Sequence, residues 1–332
     1  MSRNLYKLLT YVSLFVFLAC QATTGEGNKL SGASTEFEHV SEQILKNPDI
    51  DSLYAWRADQ LMLRESYDSA ITDFLKALSI DSLKKPAYYF GLSRAYLMSA
   101  QSKMASDILD KALEKFPEHI PTLLKVAEMK LVLKQYMPAL AILDKVFQRD
   151  QQHVEAWYLS GHVFYEMGDT GRAINAYQKS VDLNPEFRKA WIQLGDVLTE
   201  IKNERALDYY DNAIKLDSLD PQVYHSKAYA LLRLGKRQTA VNLFKKLAIN
   251  FPSYEPGIYN LGLLYLESDS LSKAIEHFGI CIQLKPTEPS SYFQRALAYI
   301  RKGDKNLAKT DLQNALRLNP DFEGAKQELS KL

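Results

Sequence analysis

Residues able to carry acid–base, nucleophilic or metal chemistry occur throughout this chain but never in a working arrangement. The six histidines are His39, His119, His153, His162, His225 and His277. No two stand three or four residues apart, the spacing that sets two imidazoles on one helical turn as metal ligands. There is no His-Glu-x-x-His, no Gly-x-Ser-x-Gly, no phosphate-binding glycine loop and no Cys-x-x-Cys. Two cysteines, Cys20 and Cys281, are too few for a disulfide framework. Lysine plus arginine number 41 against 40 aspartate plus glutamate, so the basic excess of a nucleic-acid binder is missing. The expectation is a chain that is not an enzyme, with no cofactor, no metal centre and no nucleic-acid partner.

Cys20 is the one residue whose setting points to chemistry. Arg3 and Lys7 precede an apolar run from Leu8 to Ala19. Such a run rises about 18 Å as a helix, short of the roughly 30 Å hydrocarbon core, so it reads as a secretory signal and not as a membrane span. It ends in Phe17-Leu18-Ala19-Cys20, which resembles the lipobox of bacterial lipoproteins, with Phe17 where that family usually has Leu. The resemblance implies a signal peptide over 1–19, cleavage before Cys20 and lipidation of its thiol. The alternative is a plain secretory signal whose cysteine is accidental. Losing Arg3 and Lys7 leaves 39 basic residues against 40 acidic ones, a formal charge of −1 in place of +1. Related lipoproteins held in the inner membrane carry Asp where this chain has Gln21, so the resemblance implies an outer-membrane lipoprotein facing the periplasm. Residues 20–35 read as the lipidated cysteine and a flexible Gly/Ser/Thr-rich tether, reaching roughly 20 Å as a random coil.

The rest of the chain must be organised by its prolines. Pro48, Pro117, Pro185, Pro252, Pro286 and Pro320 are separated by 69, 68, 67, 34 and 34 residues, one or two periods of 34. Proline lacks an amide donor and stops helices, so a regular proline marks a regular helix end. Between stops the pattern repeats. In Val154–Phe187, Trp157, Gly161 and Phe164 share one face of a first helix, Gly168-Asp169 turns the chain, and Ala173, Tyr177 and Ser180 share a face of a second. Small residues such as Gly161 and Ala173 predict close approach of two antiparallel helices. Trp157 and Tyr177 fill the gap to the next hairpin.

This pattern resembles the tetratricopeptide repeat, whose first helix carries Trp, Leu-Gly and Tyr, and whose second carries Ala, Phe and Ala before Pro. Trp191, Leu194-Gly195, Ala206, Tyr210 and Ala213 repeat it, as do Leu261-Gly262, Tyr265, Ala274, Phe278 and Pro286. Eight units follow over 51–322: 51–84, 86–119, 120–153, 154–187, 188–220, 221–254, 255–288 and 289–322. Arg57, Lys227 and Arg295 stand where the family usually has Leu, which predicts partial exposure or long stems lying along the core. Cys281 falls where other units carry Ala112, Ala213 or Ala315, a packing position. Phe37, Val40, Ile44 and Leu45 predict an N-terminal capping helix or half repeat over 36–50, and Ala325, Leu329 and Leu332 predict a C-terminal cap over 323–332. The fold class is all-α, and the resemblance implies a right-handed α-solenoid with first helices lining a concave groove.

The family's groove positions fall on Phe90 and Arg94, Leu124 and Glu128, Tyr158, His162 and Tyr165, then Ile192 and Asp196, His225 and Tyr229, Tyr259, and Phe293. The resemblance implies that this face binds an extended peptide or a helix. Glu128, Glu155, Glu166, Asp196 and Glu200 make its middle acidic, with Lys125 and Lys189 opposing. A ligand with apolar or aromatic anchors and some basic character is therefore expected. The Lys/Asn/Arg clamp that grips C-terminal carboxylates in one subclass is replaced by Ala55, Asp59, Gly91, Pro121 and Lys125, which disfavours a cytosolic chaperone adaptor. The reading is a lipid-anchored scaffold that binds envelope proteins, with a homodimer left open. A carbohydrate- or cell-wall-binding module using the aromatic groove is the alternative.

Overall fold

The computed structural model describes residues 29–81 and 85–332, so Cys20 and the signal over 1–19 lie outside the described residues. The described residues are all-helical, with 18 helices and no strand. They form two compact units, one up to Pro138 and the other Ala139–Leu332. In the first unit α1 (Lys29–Lys46) precedes the hairpins α2 (Asp51–Leu63)–α3 (Tyr67–Ile80) and α4 (Pro86–Met98)–α5 (Ser102–Lys115), then α6 (Ile120–Val132). Helix α7 (Tyr136–Phe147) leads into the second unit. There the hairpins are α8 (Val154–Glu166)–α9 (Thr170–Leu183), α10 (Arg188–Glu200)–α11 (Ala206–Leu216), α12 (Pro221–Arg233)–α13 (Arg237–Asn250), α14 (Glu255–Glu267)–α15 (Leu271–Leu284) and α16 (Pro289–Lys302)–α17 (Lys305–Leu318). The short α18 (Glu323–Leu329) closes it, with Ala325, Leu329 and Leu332 on the last hydrophobic cluster.

Prolines mark helix starts as well as stops. Pro86, Pro221 and Pro289 are the first residues of α4, α12 and α16, where the missing amide would have had no partner. The second helices are packed through alanine. Ala70, Ala105, Ala139, Ala173, Ala206, Ala240, Ala274 and Ala308 are all fully buried at one equivalent position. One turn further an aromatic ring (Phe74, Tyr177, Tyr210, Phe244 and Phe278) or a leucine (Leu109, Leu143 and Leu312) fills the space against the first helix. A methyl on Gly161 would sit 2.5 Å from the Tyr177 ring, so only hydrogen fits there. Cys281 is a free, fully buried thiol pushed up to about 12, chiefly by burial, as an inert packing residue should be.

Each hairpin turn has the same backbone. One residue per turn takes a left-handed conformation: Glu65, Ala100, Lys134, Gly168, Lys202, Gly235, Asp269 and Gly303. The next amide reaches back to a carbonyl five residues earlier, as Ser66 to Leu61 at 2.9 Å, Asp169 to Phe164 at 2.9 Å and Lys236 to Leu231 at 2.8 Å. This is the Schellman closure, which satisfies carbonyls that a helix end leaves open. Five of the eight turns use a side-chain-bearing residue where glycine is the unstrained choice.

Three expectations need correction. The stretch 29–35, read as tether, is helical, because α1 begins at Lys29 and not at 36, while 20–28 lie outside the described residues. Once Phe37, Val40 and Ile44 anchor a helix, extending it adds one hydrogen bond per residue ordered. Arg64 lies over the Phe37 ring at 4.0 Å, but Leu45 is 84 % exposed and takes no part in the cap. Trp157 packs back on Phe147, 4.6 Å between centroids, and donates to the Gln151 carbonyl at 2.9 Å, so it seals the joint with the preceding helix and not the next.

Each of the three basic departures has a carboxylate partner, two inside their own hairpin and one on the neighbouring hairpin. Arg57 donates to both carboxylate oxygens of buried Asp73 at 2.6 and 2.7 Å, and Arg295 to both of Asp311 at 2.7 and 2.8 Å. Lys227 pairs with Asp211 on the neighbouring hairpin. Each is half-buried.

Candidate protein-binding surface

The candidate residues lie on first helices, and within each unit these helices form a row. In the first unit Arg94 on α4 pairs with Asp59 on α2 at 3.2 Å, half-buried Phe90 stands one turn before it, and α6 adjoins α4. On α6, Leu124 is 8 % exposed and Glu128 is exposed but paired with Lys125 at 2.6 Å. In this unit the predicted charges are thus already matched.

The second unit carries the richer face. Tyr158 on α8 is 9 % exposed; its ring meets His162 edge-on at 4.5 Å and Phe187 at 5.2 Å. His162 also meets Tyr177 at 5.4 Å. Burial among these rings disfavours the imidazolium and takes His162 down to about 4. Tyr165, one turn from Gly161, donates to Glu200 on α10 at 2.6 Å, and burial pushes its hydroxyl well above the usual phenol range.

Asp196, one turn before Glu200, accepts a 2.7 Å hydrogen bond from the Tyr210 hydroxyl. Burial pushes its carboxyl up to about 6, against the Tyr210 donor, which lowers it, and with the Glu200 charge, which raises it. Thr199 lies 3.3 Å from the same hydroxyl. Repeat position alone makes Tyr177 and Tyr210 core residues. Their signal in the sequence was the extra hydroxyl where Phe74, Phe244 and Phe278 occupy the same position in other hairpins.

Further along, His225 on α12 lies 3.0 Å from the Asn260 amide nitrogen on α14 and 3.2 Å from the Tyr254 hydroxyl. The same Asn260 nitrogen donates to the Pro256 carbonyl, which fixes it as a donor. Nε2 of His225 therefore accepts, leaving the ring proton on Nδ1 facing Tyr254. Burial takes this imidazole down to about 4. Tyr229 is half-buried one turn on. Tyr259 packs edge-on against Phe278 at 5.6 Å and is pushed up to about 12 by burial, and Phe293 lies on Phe322 at 4.8 Å.

The row is continuous in the second unit: Tyr165 to Glu200 joins α8 to α10, α10 adjoins α12, Asn260 to His225 joins α14 to α12, and α16 adjoins α14. It presents half-exposed His162, Tyr165, Ile192, Asp196, His225, Tyr229, Tyr259 and Phe293, with Glu166 and Glu200 exposed. Several aromatic rings, including Tyr158, Tyr259 and Phe293, meet other rings and do not stand free as flat platforms for a sugar. Among the described residues no group of three His, Cys, Asp or Glu side chains could hold a metal ion, and no helix is long and apolar enough to cross a membrane.

The family model described as tetratricopeptide repeat matches residues 154–187 and 289–322. Those two segments are the ones that match the tetratricopeptide repeat model. The chain is 25 % identical over 288 residues to a TPR repeat-containing protein of Methanocaldococcus jannaschii, covering 76 % of this chain and 49 % of that one. It is 25 % identical over 152 residues to anaphase-promoting complex subunit 3 of Schizosaccharomyces pombe, covering 46 % of this chain and 23 % of the relative. The chain thus spans about half the length of the first relative and less than a quarter of the second. Among solved structures it resembles the crystal structure of a tetratricopeptide repeat protein from Parabacteroides merdae, with TM-score 0.50 and 16 % identity over 74 % of this chain and 97 % of that one. At that identity the likeness is one of fold, and the stacked helical hairpins described above are what the two share.

Proposed function

We propose that this tetratricopeptide repeat protein is a non-catalytic adaptor that binds a protein partner along the row of first helices in its second unit. Tetratricopeptide repeat proteins generally mediate protein–protein interaction. The observation that carries the site is the continuous row α8–α10–α12–α14, tied by side-chain hydrogen bonds from α8 to α10 and from α12 to α14 and packed between α10 and α12, yet half-exposed at Tyr165, Asp196, Tyr229 and Tyr259. A rigid face needs little ordering when a partner docks, so the binding energy is not consumed by the receptor. An extended segment or a helix fits such a row. The lipobox-like Phe17-Leu18-Ala19-Cys20 supports a lipid anchor at Cys20, and through it a place in the bacterial envelope, at the outer membrane facing the periplasm, with other envelope proteins as partners.

Capture from solubilised envelope tests the interface. Tyr158 is too buried to serve as a probe, so the informative double variant is Tyr165→Ala with Tyr229→Ala. Capture of one partner near stoichiometrically by the wild type, lost in the variant, is the expected result. Unchanged capture by the variant places the interface elsewhere on the molecule.

A further inference from the structure

We propose that Asp196 and Glu200, with Glu166 beside them, form a seat for a cationic side chain, arginine or lysine, of the partner segment. This rests on the protein-binding reading above. Asp196 and Glu200 are four residues apart on α10 and so share a face. Each is oriented by a neutral donor, Asp196 by the Tyr210 hydroxyl at 2.7 Å and Glu200 by the Tyr165 hydroxyl at 2.6 Å. A phenol aims a carboxylate without neutralising it. Among the described residues no lysine or arginine forms an ion pair with Glu166, Asp196 or Glu200. Other carboxylates nearby are matched, Asp169 by Arg172, Asp220 by Arg188 and Asp211 by Lys227.

A second observation points into the same corner. The Tyr177 side chain is fully buried, and its hydroxyl has no hydrogen-bond partner. Its ring lies against Tyr158 and His162, and burial holds its hydroxyl above the usual phenol range, with the Tyr158, Tyr165, Asp196 and Glu166 side chains adding to that. A buried hydroxyl left unmatched costs on the order of 1–3 kcal/mol, which an incoming donor would recover. A guanidinium carries five N–H donors and an ammonium three, enough for two carboxylates with one left for that oxygen, directly or through one water.

The test uses the full chain and a displayed random dodecapeptide library. Wild type is expected to enrich peptides with Arg or Lys at a fixed distance from an apolar residue. A synthetic copy of the leading peptide should lose at least about tenfold in affinity when its cation is replaced, Arg by citrulline or Lys by norleucine. In Asp196→Asn with Glu200→Gln the original peptide should bind about tenfold more weakly, and the same replacement should then change its affinity less than about twofold. Both substitutions keep an acceptor oxygen for the tyrosine hydroxyls, and helicity is checked by circular dichroism. If the double variant does not fold, the exposed Glu200→Gln alone carries the comparison. Enriched peptides without a cation preference, or an equal loss on cation replacement in variant and wild type, would overturn the seat while leaving the protein-binding reading intact. Failure of either form to enrich any peptide would remove that reading and the seat with it.

Discussion

At the scale of single residues, the binding row is built from titratable groups held away from their ordinary charge behaviour. His162 and His225 fall to about 4 in the folded chain from an ordinary 6.5, so their contribution to stability is complete above pH 6.5 and is lost as pH falls toward 4. Each should cost about 2 kcal/mol between pH 7 and pH 5. Asp196 has the opposite sign. Its folded value of about 6 lies above the ordinary 3.8, so ionisation opposes folding above pH 6 and that opposition is relieved as pH falls toward 4. Thermal unfolding at pH 7 and pH 5 should therefore show a net acid destabilisation that is smaller in His225→Gln and larger in Asp196→Asn. Equal slopes in all three proteins would mean these groups are not desolvated as described. Gly161→Ala adds a methyl 2.5 Å from the Tyr177 ring and should cost about 1–3 kcal/mol in denaturant titration. Of these residues, His162, Asp196 and His225 could be picked out from their repeat positions. Tyr210 is marked only by a hydroxyl added to a core ring, and Asn260 by nothing, because no sequence says which hydroxyl or amide will reach across to a neighbouring helix.

At the scale of the hairpin, two devices recur. The left-handed turn position is occupied by glycine at Gly168 and Gly235 but by Ala100 and Lys202 elsewhere. Ala100→Gly and Lys202→Gly should each raise stability by about 0.5–1 kcal/mol, since relief of the left-handed strain exceeds the entropy that glycine adds to the unfolded chain. Gly168→Ala should lower it by about 1 kcal/mol. Chemical denaturation of the three variants checks both directions. The second device is the Arg295–Asp311 pair, formed where the family has an apolar residue. Asp311→Ala strands a half-buried guanidinium and should cost about 3–5 kcal/mol, whereas Arg295→Leu with Asp311→Leu should cost far less, because removing both charges also removes their desolvation. If the double variant is as unstable as the single one, the pair is not an interchangeable substitute for apolar packing.

At the scale of the whole molecule, the lipid anchor and the binding row make separate claims. Cys20→Ser should move the protein from the membrane fraction to the soluble fraction without changing the stability of the hairpins. A variant still retained by membranes would show that Cys20 is not the attachment. The sequence by itself determined the class of fold, because a proline at every thirty-fourth residue, or every second such step, and an alanine at the start of each second helix leave helical hairpins as the only economical reading. It also determined which positions lie off the packing pattern, because helical periodicity separates faces. Tertiary structure alone decided which of those positions remain open. Leu124 and Tyr158 sit in groove register but are covered, since burial depends on the size of neighbours contributed by other helices. Glu128 is matched by Lys125 three residues earlier on the same helix, a pair that its spacing predicts, while Asp196 and Glu200 accept from phenols on neighbouring helices, which only the reach of side chains between helices decides.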